Sequence, residues 1–346
     1  MPLADIRPYL EDSRNKKYAL GCFNVFDTET LEGVIEAAVN KKTPVVCAIY
    51  EPQFKYSDME SFTDLIKNIA SKTDVPVILH LDHATEFASI IRAIKCGFTA
   101  VMFDGPVDAS FEEKVEKTKK AVEIAHLAGA TVEAELGYIT RVGVDEKASQ
   151  ENIADPKLAK EFVERTGIDI LAPAIGSVHG MGEQKATINL EMLRQIAMST
   201  NCYLSLHGGS GVDDFIVQQA IDIGINKASV YTRLSNRAIE RVRQSLTTGK
   251  GDISAVLNEV RNGFREVVED RLEVLRSVNI CSPGQGQDIC HYCTSDKFCV
   301  SKVSRPFSSD NQPYIKSSVI GNVTDRTYEE IINNVSSIIA DYIKNK

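Results

Sequence analysis

Three histidines each follow an apolar run of the chain. His83 ends the segment His80-Leu81-Asp82-His83 after the run 75–79, and His179 and His207 come after two later runs. Such runs are typical of buried strands, and in a parallel barrel the carboxyl ends of the strands meet at the rim where chemistry takes place. We therefore expect the three imidazoles to lie together, with the Asp82 carboxylate beside them.

Three imidazoles with an open fourth position form a ligand set that suits catalytic zinc. A metal held in this way polarises a carbonyl and stabilises an enolate as it forms, and Asp82 is positioned to move a proton. A single histidine is usually an ordinary hydrogen-bonded residue. His126, in the middle of a predicted helix, is expected to be structural, and His80 is a candidate to support the metal ligands.

More polar residues end other predicted strands. Asp104 and Glu135 follow the fourth and fifth apolar runs, and Thr232 follows the eighth. The turn His207-Gly208-Gly209-Ser210-Gly211 precedes a helix predicted to begin near Asp213. Because glycines let backbone N–H groups approach an anion at a helix N-terminus, this turn indicates a phosphate site, which Thr232 would complete.

These residues are carried by alternating strand and helix patterns. We predict strands over 18–25, 44–50, 75–83, 99–104, 131–135, 168–175, 203–206 and 228–231. We predict helices over 3–11, 28–40, 59–71, 88–96, 111–128, 156–166, 190–199, 213–222, 235–246 and 253–278. Eight alternations favour an α/β fold of the (β/α)8 TIM-barrel type. An open doubly wound sheet is the alternative, but no strand precedes a Gly-x-Gly-x-x-Gly turn.

Composition narrows the class of protein further. The 346 residues carry a net charge of -9, which argues against a nucleic-acid partner. No stretch approaches 18 apolar residues, so we expect no membrane partner, and the start of the chain does not resemble a signal peptide. We expect a cytoplasmic protein whose eight cysteines are thiols or metal ligands rather than disulfides. Cys22, Cys47, Cys96 and Cys202 are interpreted as buried small apolar residues.

The C-terminal segment has a different pattern. Four cysteines crowd into it with the spacing C-x8-C-x2-C-x5-C, namely Cys281, Cys290, Cys293 and Cys299. Such dense thiolates indicate a possible second metal site, either structural zinc or an iron–sulfur cluster, and unpaired thiols are the alternative. A final helix is predicted to begin near Thr324 or Asp325. We therefore divide the chain into a barrel domain, 1–280, and a Cys-rich segment with a C-terminal helix, 281–346.

Six segments in this order resemble the class II, zinc-dependent fructose-bisphosphate aldolase family, which includes tagatose-bisphosphate aldolases. They read YALGCFNV (18–25), HLDH (80–83), VMFDG (101–105), TVEAELG (131–137), TGIDILAPAIGSVHG (166–180) and LHGGSG (206–211). The resemblance covers roughly residues 1–280. It implies reversible aldol cleavage of a ketose bisphosphate, such as fructose 1,6-bisphosphate or tagatose 1,6-bisphosphate, to dihydroxyacetone phosphate and an aldehyde. Enzymes of this kind are usually homodimers or homotetramers.

The resemblance also implies residue roles. His83, His179 and His207 would bind zinc, and Asp82 would handle the hydroxyl proton at the cleaved bond. Glu135 and Asp104 would lie near the metal or at an alternative metal position. The remaining positions would bind the substrate and its phosphate: Asn24, Gly180, Gly208, Gly209, Ser210, Ser229 and Thr232.

The chain departs from the family pattern at several substrate contacts. The second strand ends in Tyr50 where the family commonly has serine, Pro106 follows Asp104-Gly105, and Ser229 stands where the family has asparagine. The loop 138–146 lacks the family's carbon-proton base, for which Asp145 or Glu146 is a candidate replacement. The departures keep two alternatives open: a metal-dependent sugar-phosphate isomerase or epimerase, and a non-catalytic protein that binds sugar phosphate. The retained Asp82 favours the aldolase.

Overall fold

The computed structural model describes residues 3–106, 109–139, 153–180, 186–249 and 252–281. Eight parallel strands close into a barrel in chain order, with β8 paired to β1. The strands are β1 Leu20–Asn24, β2 Val45–Tyr50, β3 Val77–Ala84, β4 Ala100–Phe103, β5 Thr131–Leu136, β6 Ile170–Pro173, β7 Tyr203–Leu206 and β8 Ile225–Val230. The predicted (β/α)8 barrel is therefore confirmed.

Helices alternate with these strands and surround them. In the described part of the chain they are α1 Arg7–Lys16, α2 Thr28–Lys41, α3 Met59–Ser71, α4 Phe87–Cys96, α5 Phe111–Leu127, α6 Pro156–Thr166, α7 Leu190–Ser199, α8 Asp214–Ile223, α9 Thr232–Thr247 and α10 Ile253–Val274. No helix among the described residues is long and apolar enough to span a membrane.

The strand sequences explain why the barrel forms. Both faces of a parallel strand are covered, one by helices and one by the barrel interior, so its sequence is apolar almost throughout. In β2, for example, only Tyr50 at the rim is not buried. Several helices end at glycines in the left-handed conformation, as at Gly97 and Gly167, which is the usual place for a residue without a β-carbon.

The two ends of the barrel interior differ. At the amino-terminal end, Ile6, just before α1, and Leu10 within it form an apolar cluster with Leu20, Ile78 and Ile170, so this helix covers the bottom of the barrel. Towards the carboxyl-terminal rim the interior becomes polar and charged. Its buried side chains there are His80, Asp82, Glu133, Glu135, His207 and Lys227.

Some predicted boundaries are wrong. The strand β8 begins at Ile225 rather than at residue 228, because Asn226 and Lys227 look like loop residues but are buried within the strand. Helix α9 begins at Thr232 rather than residue 235, so Thr232 lies in its first turn. Helix α1 is displaced towards the C-terminus, because Ala4 donates a backbone hydrogen bond to Val77 O, outside any helix.

Several predicted features lie outside the described residues. These are the loop positions Asp145 and Glu146, together with Cys290, Cys293, Cys299 and the C-terminal helix. Of the C-terminal cysteines, Cys281 alone is described. It is buried, and its backbone N–H donates to Lys42 O. The proposed second metal site and the domain boundary therefore stay predictions.

Candidate active site

A local irregularity in β3 brings two consecutive residues to the same rim. Side chains alternate along a regular strand, so Asp82 and His83 would point in opposite directions. The pairing of β3 with β4 shifts register between Leu81 and Ala84, and His83 has a φ of +55°. A positive φ is costly for a residue other than glycine and is commonly kept at functional sites. It leaves His83 Nε2 3.8 Å from Asp82 Oδ1.

Each of these two side chains is held by a neighbour. His83 Nδ1–H donates to Asp104 Oδ2 at 2.7 Å, and Asp82 Oδ2 accepts a 2.8 Å hydrogen bond from Asn24 Nδ2. The other carboxylate oxygen, Asp82 Oδ1, is buried without a hydrogen-bond partner among the described residues. One oxygen therefore fixes the orientation of Asp82 and leaves the other available on the side of His83.

The other two histidines are held in the same manner. His179 Nδ1–H donates to the carbonyl of Ile139 at 3.3 Å, and His207 Nε2–H donates to Glu133 Oε1 at 2.8 Å. Metal-binding histidines commonly donate their second ring N–H to a carbonyl or carboxylate in this way, which fixes the tautomer and the orientation of the ring. The second nitrogen of each imidazole is then left to bind a metal ion.

The three rings converge on one point. Their centroids are 4.9–5.9 Å apart, and a ligand nitrogen from each lies within 4.8 Å of the other two. His179 Nε2 is buried and has no hydrogen-bond partner in the described part of the chain. A buried polar atom of this kind requires an explanation such as an ion or water. The donor set fits zinc, with the fourth position left open for substrate.

The electrostatics favour a cation at this point. Burial, followed by the charges of His83 and His207, lowers the pKa of His179 to about 3, so its imidazole is neutral. Burial alone would lower the pKa of His83, but Asp104, Asp82 and Glu135 outweigh it and raise this pKa to about 10. Carboxylates that favour an added proton here also favour a metal cation in its place.

Glu135 belongs to a second group of potential metal ligands that also includes His83. Donor atoms of His83, Asp104 and Glu135 lie within 4.8 Å of one another. Burial and the charge of Asp104 raise the pKa of Glu135 to about 7. One oxygen of Glu135 accepts the backbone N–H of Ile139, whose carbonyl holds His179. Glu135 therefore also supports the position of His179.

The glycine-rich turn lies directly beside the His179 loop. Gly208 has a φ of +66°, and a β-carbon there would lie 2.6 Å from the backbone of Val178. Only glycine allows this approach, because any side chain would collide with rigid backbone. The turn continues as a short 3-10 helix, Gly209–Gly211, and Ser210 is buried. Gly180, next to His179, also has a positive φ, +103°.

The start of α9 completes this surface. Thr232 is its first residue, no side chain caps this end of the helix, and its first turn contains no acidic residue. Arg233 Nε donates to the carbonyl of Ser210 at 2.7 Å, and Arg233 Nη2 donates to that of Val212 at 3.2 Å. The glycine-rich turn and an uncapped helix N-terminus are thus fastened together, an arrangement that suits an anion.

Ser229, on β8, lies close to one of the candidate metal ligands. Its hydroxyl lies 3.3 Å from His207 Nε2 and accepts a 3.1 Å hydrogen bond from Lys227 Nζ. The predicted substrate contact at this position stays a prediction. Our sequence analysis missed Lys227 and Glu133, which form a fully buried ion pair of 2.9 Å. The available signal was the alternation of Glu133 with Glu135, and of Lys227 with Ser229, on the same strand face.

The two remaining described histidines have different surroundings. His80 is fully buried in the barrel interior with its Nε2 3.8 Å from Glu133 Oε2, and burial lowers its pKa to about 3. His126 lies in α5, outside the site, and pairs with Asp169 at 2.7 Å. His80 therefore lies beneath the site, whereas the position of His126 fits the structural role expected for it.

A closed parallel barrel whose histidines and carboxylates gather at the carboxyl-terminal rim defines a TIM-barrel enzyme. The family model "Fructose-bisphosphate aldolase class-II" matches residues 4–280. The chain belongs to this family.

Individual relatives agree with the family match. A Staphylococcus aureus (strain Mu50) protein described as a fructose-bisphosphate aldolase is 35% identical over 286 residues, which cover 81% of this chain and 99% of the relative. The crystal structure of the YdjI aldolase from Escherichia coli K12 is 35% identical with a TM-score of 0.72, over 80% of this chain and 98% of that one. A fructose-bisphosphate aldolase from Campylobacter jejuni, 20% identical with a TM-score of 0.69, shows the same fold over 80% and 97% of the two chains.

Proposed function

We propose that the chain is a zinc-dependent aldolase that reversibly cleaves a ketose phosphate or bisphosphate to dihydroxyacetone phosphate and an aldehyde. Fructose 1,6-bisphosphate and tagatose 1,6-bisphosphate are the two substrates to test first. The observation that carries the proposal is the set of three converging imidazoles, each with its second nitrogen already bound. Family membership supports the reaction class.

The metal would be held by His83 Nε2, His179 Nε2 and His207 Nδ1, the nitrogens left over by their hydrogen bonds to protein groups. A zinc ion held there would supply a Lewis acid to polarise the substrate carbonyl. Asp104, Ile139 and Glu133 keep the three rings oriented. Because these partners hold the rings before any metal binds, ordering the ligands costs little of the free energy of metal binding.

Asp82 would act as the acid and base for the hydroxyl at the cleaved bond. Asn24 orients the carboxylate through Oδ2, and Oδ1 takes the hydroxyl proton as the carbon–carbon bond breaks and the aldehyde forms. Burial alone would raise the pKa of Asp82, but the charges of His83, His207, His80 and Lys227 outweigh it and lower this pKa. The carboxylate is therefore ionised and ready to accept the proton.

The phosphate of the donor half would lie against the turn formed by Gly208, Gly209 and Ser210. Gly180 and Thr232 would add backbone N–H groups from two adjacent elements. A positive helix end and several N–H groups at one place favour a dianion. Asn24 and Ser229 would face the substrate from β1 and β8. The base that removes the carbon-bound proton would come from residues 138–146, most of which lie outside the described part of the chain.

We also propose a cytoplasmic homodimer or homotetramer. Cys22, Cys47, Cys96 and Cys202 are thiols that form no disulfide in the described structure, which supports a reducing compartment. Four apolar side chains of α9 and α10 are more than a third exposed, namely Ile239, Leu246, Ile253 and Leu257. Light scattering of the protein and of the Ile253→Asp variant tests this, and a monomeric wild-type protein would contradict it.

The first test needs no knowledge of the aldehyde. Dihydroxyacetone phosphate is incubated with the enzyme in D2O, and deuterium uptake is followed by proton NMR, with and without a chelator. We expect exchange that the chelator stops, that zinc restores, and that is absent in the His179→Ala variant. Failure of the zinc-loaded wild-type enzyme to exchange the proton would contradict the proposal and would favour a non-catalytic or isomerase function.

A further inference from the structure

The barrel interior beneath the candidate metal ligands contains a fully buried lysine. Lys227, on β8, has no exposed side-chain surface, and neither has its partner Glu133 on β5. Lysine is almost never completely buried unless it is paired. A buried ion pair seldom increases stability over apolar residues of similar size, because removing two charges from water is costly. The pair therefore requires another explanation.

Glu133 connects Lys227 to a candidate metal ligand. One oxygen, Oε2, forms an ion pair with Lys227 Nζ at 2.9 Å, and the other, Oε1, accepts a hydrogen bond from the Nε2–H of His207 at 2.8 Å. A carboxylate oxygen can only accept in such a bond, so the hydrogen of a neutral His207 must be on Nε2. The Nδ1 lone pair is then the one that His207 has left for a metal held by the three imidazoles.

Lys227 also holds Ser229, the second group that lies next to His207 Nε2. Its ammonium donates to Ser229 Oγ at 3.1 Å, and this hydroxyl lies 3.3 Å from His207 Nε2. Both groups that surround His207 Nε2 are thus fixed by the same cation. Among the described residues, Lys227 itself donates no hydrogen bond to any of the three candidate zinc ligands.

We propose that Lys227 is a positioning residue that sets the zinc affinity of the site by fixing Glu133, and through it the tautomer of His207. This inference rests on the proposed function, since it requires zinc at the three imidazoles. Without the ammonium, Glu133 has one anchor fewer and its buried charge has lost its compensation. The carboxylate then no longer holds the Nε2–H of His207 in a single arrangement.

The expected size of the effect follows from other metal sites. Removing a group that orients a ligand typically weakens metal binding about 10- to 100-fold. We expect Lys227→Met to weaken zinc binding by about this factor and Lys227→Arg, which retains the charge, to weaken it less. Lys114→Met is the matched control. Lys114 also acts electrostatically on Asp104 and Glu135 but forms no ion pair with Glu133 among the described residues.

Two measurements on the full chain test the proposal. Zinc affinity is measured by competition with a chromophoric chelator at a temperature well below the melting point of each variant. Long-range 1H–15N correlation spectra of the zinc-free protein, labelled at its six histidines, report the tautomer of His207. Support requires that Lys227→Met lose affinity and also lose the single Nε2–H tautomer, and that Lys114→Met change neither.

Any other combination overturns the proposal. If affinity falls while the tautomer is retained, Lys227 does not act through Glu133, and if affinity is retained, Lys227 does not set it. Should Lys227→Met not fold, the comparison is made between Lys227→Gln and Lys227→Arg, with the glutamine variant expected to bind zinc more weakly. Failure of the proposed function gives a different result. In that case the wild-type protein and the His179→Ala variant would bind zinc equally, or neither would bind it.

Discussion

The lower and upper parts of the same barrel are built from different chemistry. In the lower part, Leu20, Ile78 and Ile170 form an apolar cluster with Leu10 of α1. In the upper part, His80, Asp82 and His179 contain buried polar atoms without hydrogen-bond partners among the described residues. The strands are continuous through both parts. A stable apolar base therefore supports a rim where charge is buried for chemistry, at a cost to stability.

Among substitutions that distinguish the upper part from the lower part, we expect the largest loss of activity at Asp82. The Asp82→Asn variant keeps the size of the side chain and an oxygen for the Asn24 bond, but it cannot accept the hydroxyl proton. Because a positioned acid–base group contributes about 10²- to 10⁴-fold, we expect kcat for cleavage to fall by that factor. A coupled cleavage assay and zinc analysis measure the two properties. Unchanged turnover, or loss of the zinc, would rule out the assigned role.

The opposite result is expected at the bottom of the barrel. Leu10 is fully buried in the lower cluster, and Leu10→Ala should decrease the free energy of unfolding by about 2–5 kcal/mol through the lost burial and the cavity. Urea denaturation measures this. The folded variant should keep the zinc affinity and kcat of the wild type. A large fall in kcat under conditions where the variant is fully folded would show that the lower part of the barrel contributes directly to the geometry of the rim.

Gly208 tests the rim through its backbone. Gly208 has a left-handed backbone conformation, and Gly208→Ala places a β-carbon 2.6 Å from the backbone of Val178. The backbone of one of the two segments must therefore shift. Gly129→Ala is the control, since Gly129 has a similar φ of +78° and nothing within 4 Å. The control should lose about 1 kcal/mol of unfolding free energy, from the φ strain alone. Gly208→Ala should lose more and bind dihydroxyacetone phosphate more weakly, as titration calorimetry would measure. Equal losses would contradict the close packing.

A smaller effect is expected where Arg233 fastens the glycine-rich turn to α9. Arg233→Met removes two hydrogen bonds to loop carbonyls but touches none of the candidate catalytic groups. We expect KM to rise about tenfold, which corresponds to roughly 1.4 kcal/mol of binding, with kcat nearly retained. Arg237→Met, which breaks surface pairs with Glu240 and Glu266, should change neither. Steady-state kinetics decide, and a fall in kcat with unchanged KM would argue against a phosphate-positioning role.

The smallest expected effect is the pH dependence contributed by Glu135. Burial and Asp104 raise its pKa from 4.5 to about 7 in the folded protein, so the zinc-free fold binds this proton more tightly than the unfolded chain does. Its contribution to stability is complete below pH 4.5 and is lost as the pH rises through about 7. Glu135→Gln should flatten the dependence of stability on pH across this interval, measured by urea denaturation of zinc-free protein. An unchanged profile would contradict the raised pKa.

Much of the rim could be predicted from sequence because strand ends and chemical residue types coincide. His83, His179 and His207 do meet, and Asp82 does lie beside His83. Ring orientation could not be predicted, since it depends on Ile139 O, whose position results from the turn after β5. Lys227 was also missed, because a lysine in a short segment normally indicates exposed loop, and only closure of the barrel shows that Glu133 compensates its charge.

The sequence by itself determined the order of the elements, the apolar faces that pack, the places where glycine is required and the identity of the groups at each strand end. These are local properties, fixed by periodicity and by the backbone preferences of single residues. The tertiary structure alone decided which nitrogen of each histidine is free and which buried charges are paired. Those properties depend on contacts between strands up to 94 residues apart, such as Lys227 with Glu133, and no local pattern contains them.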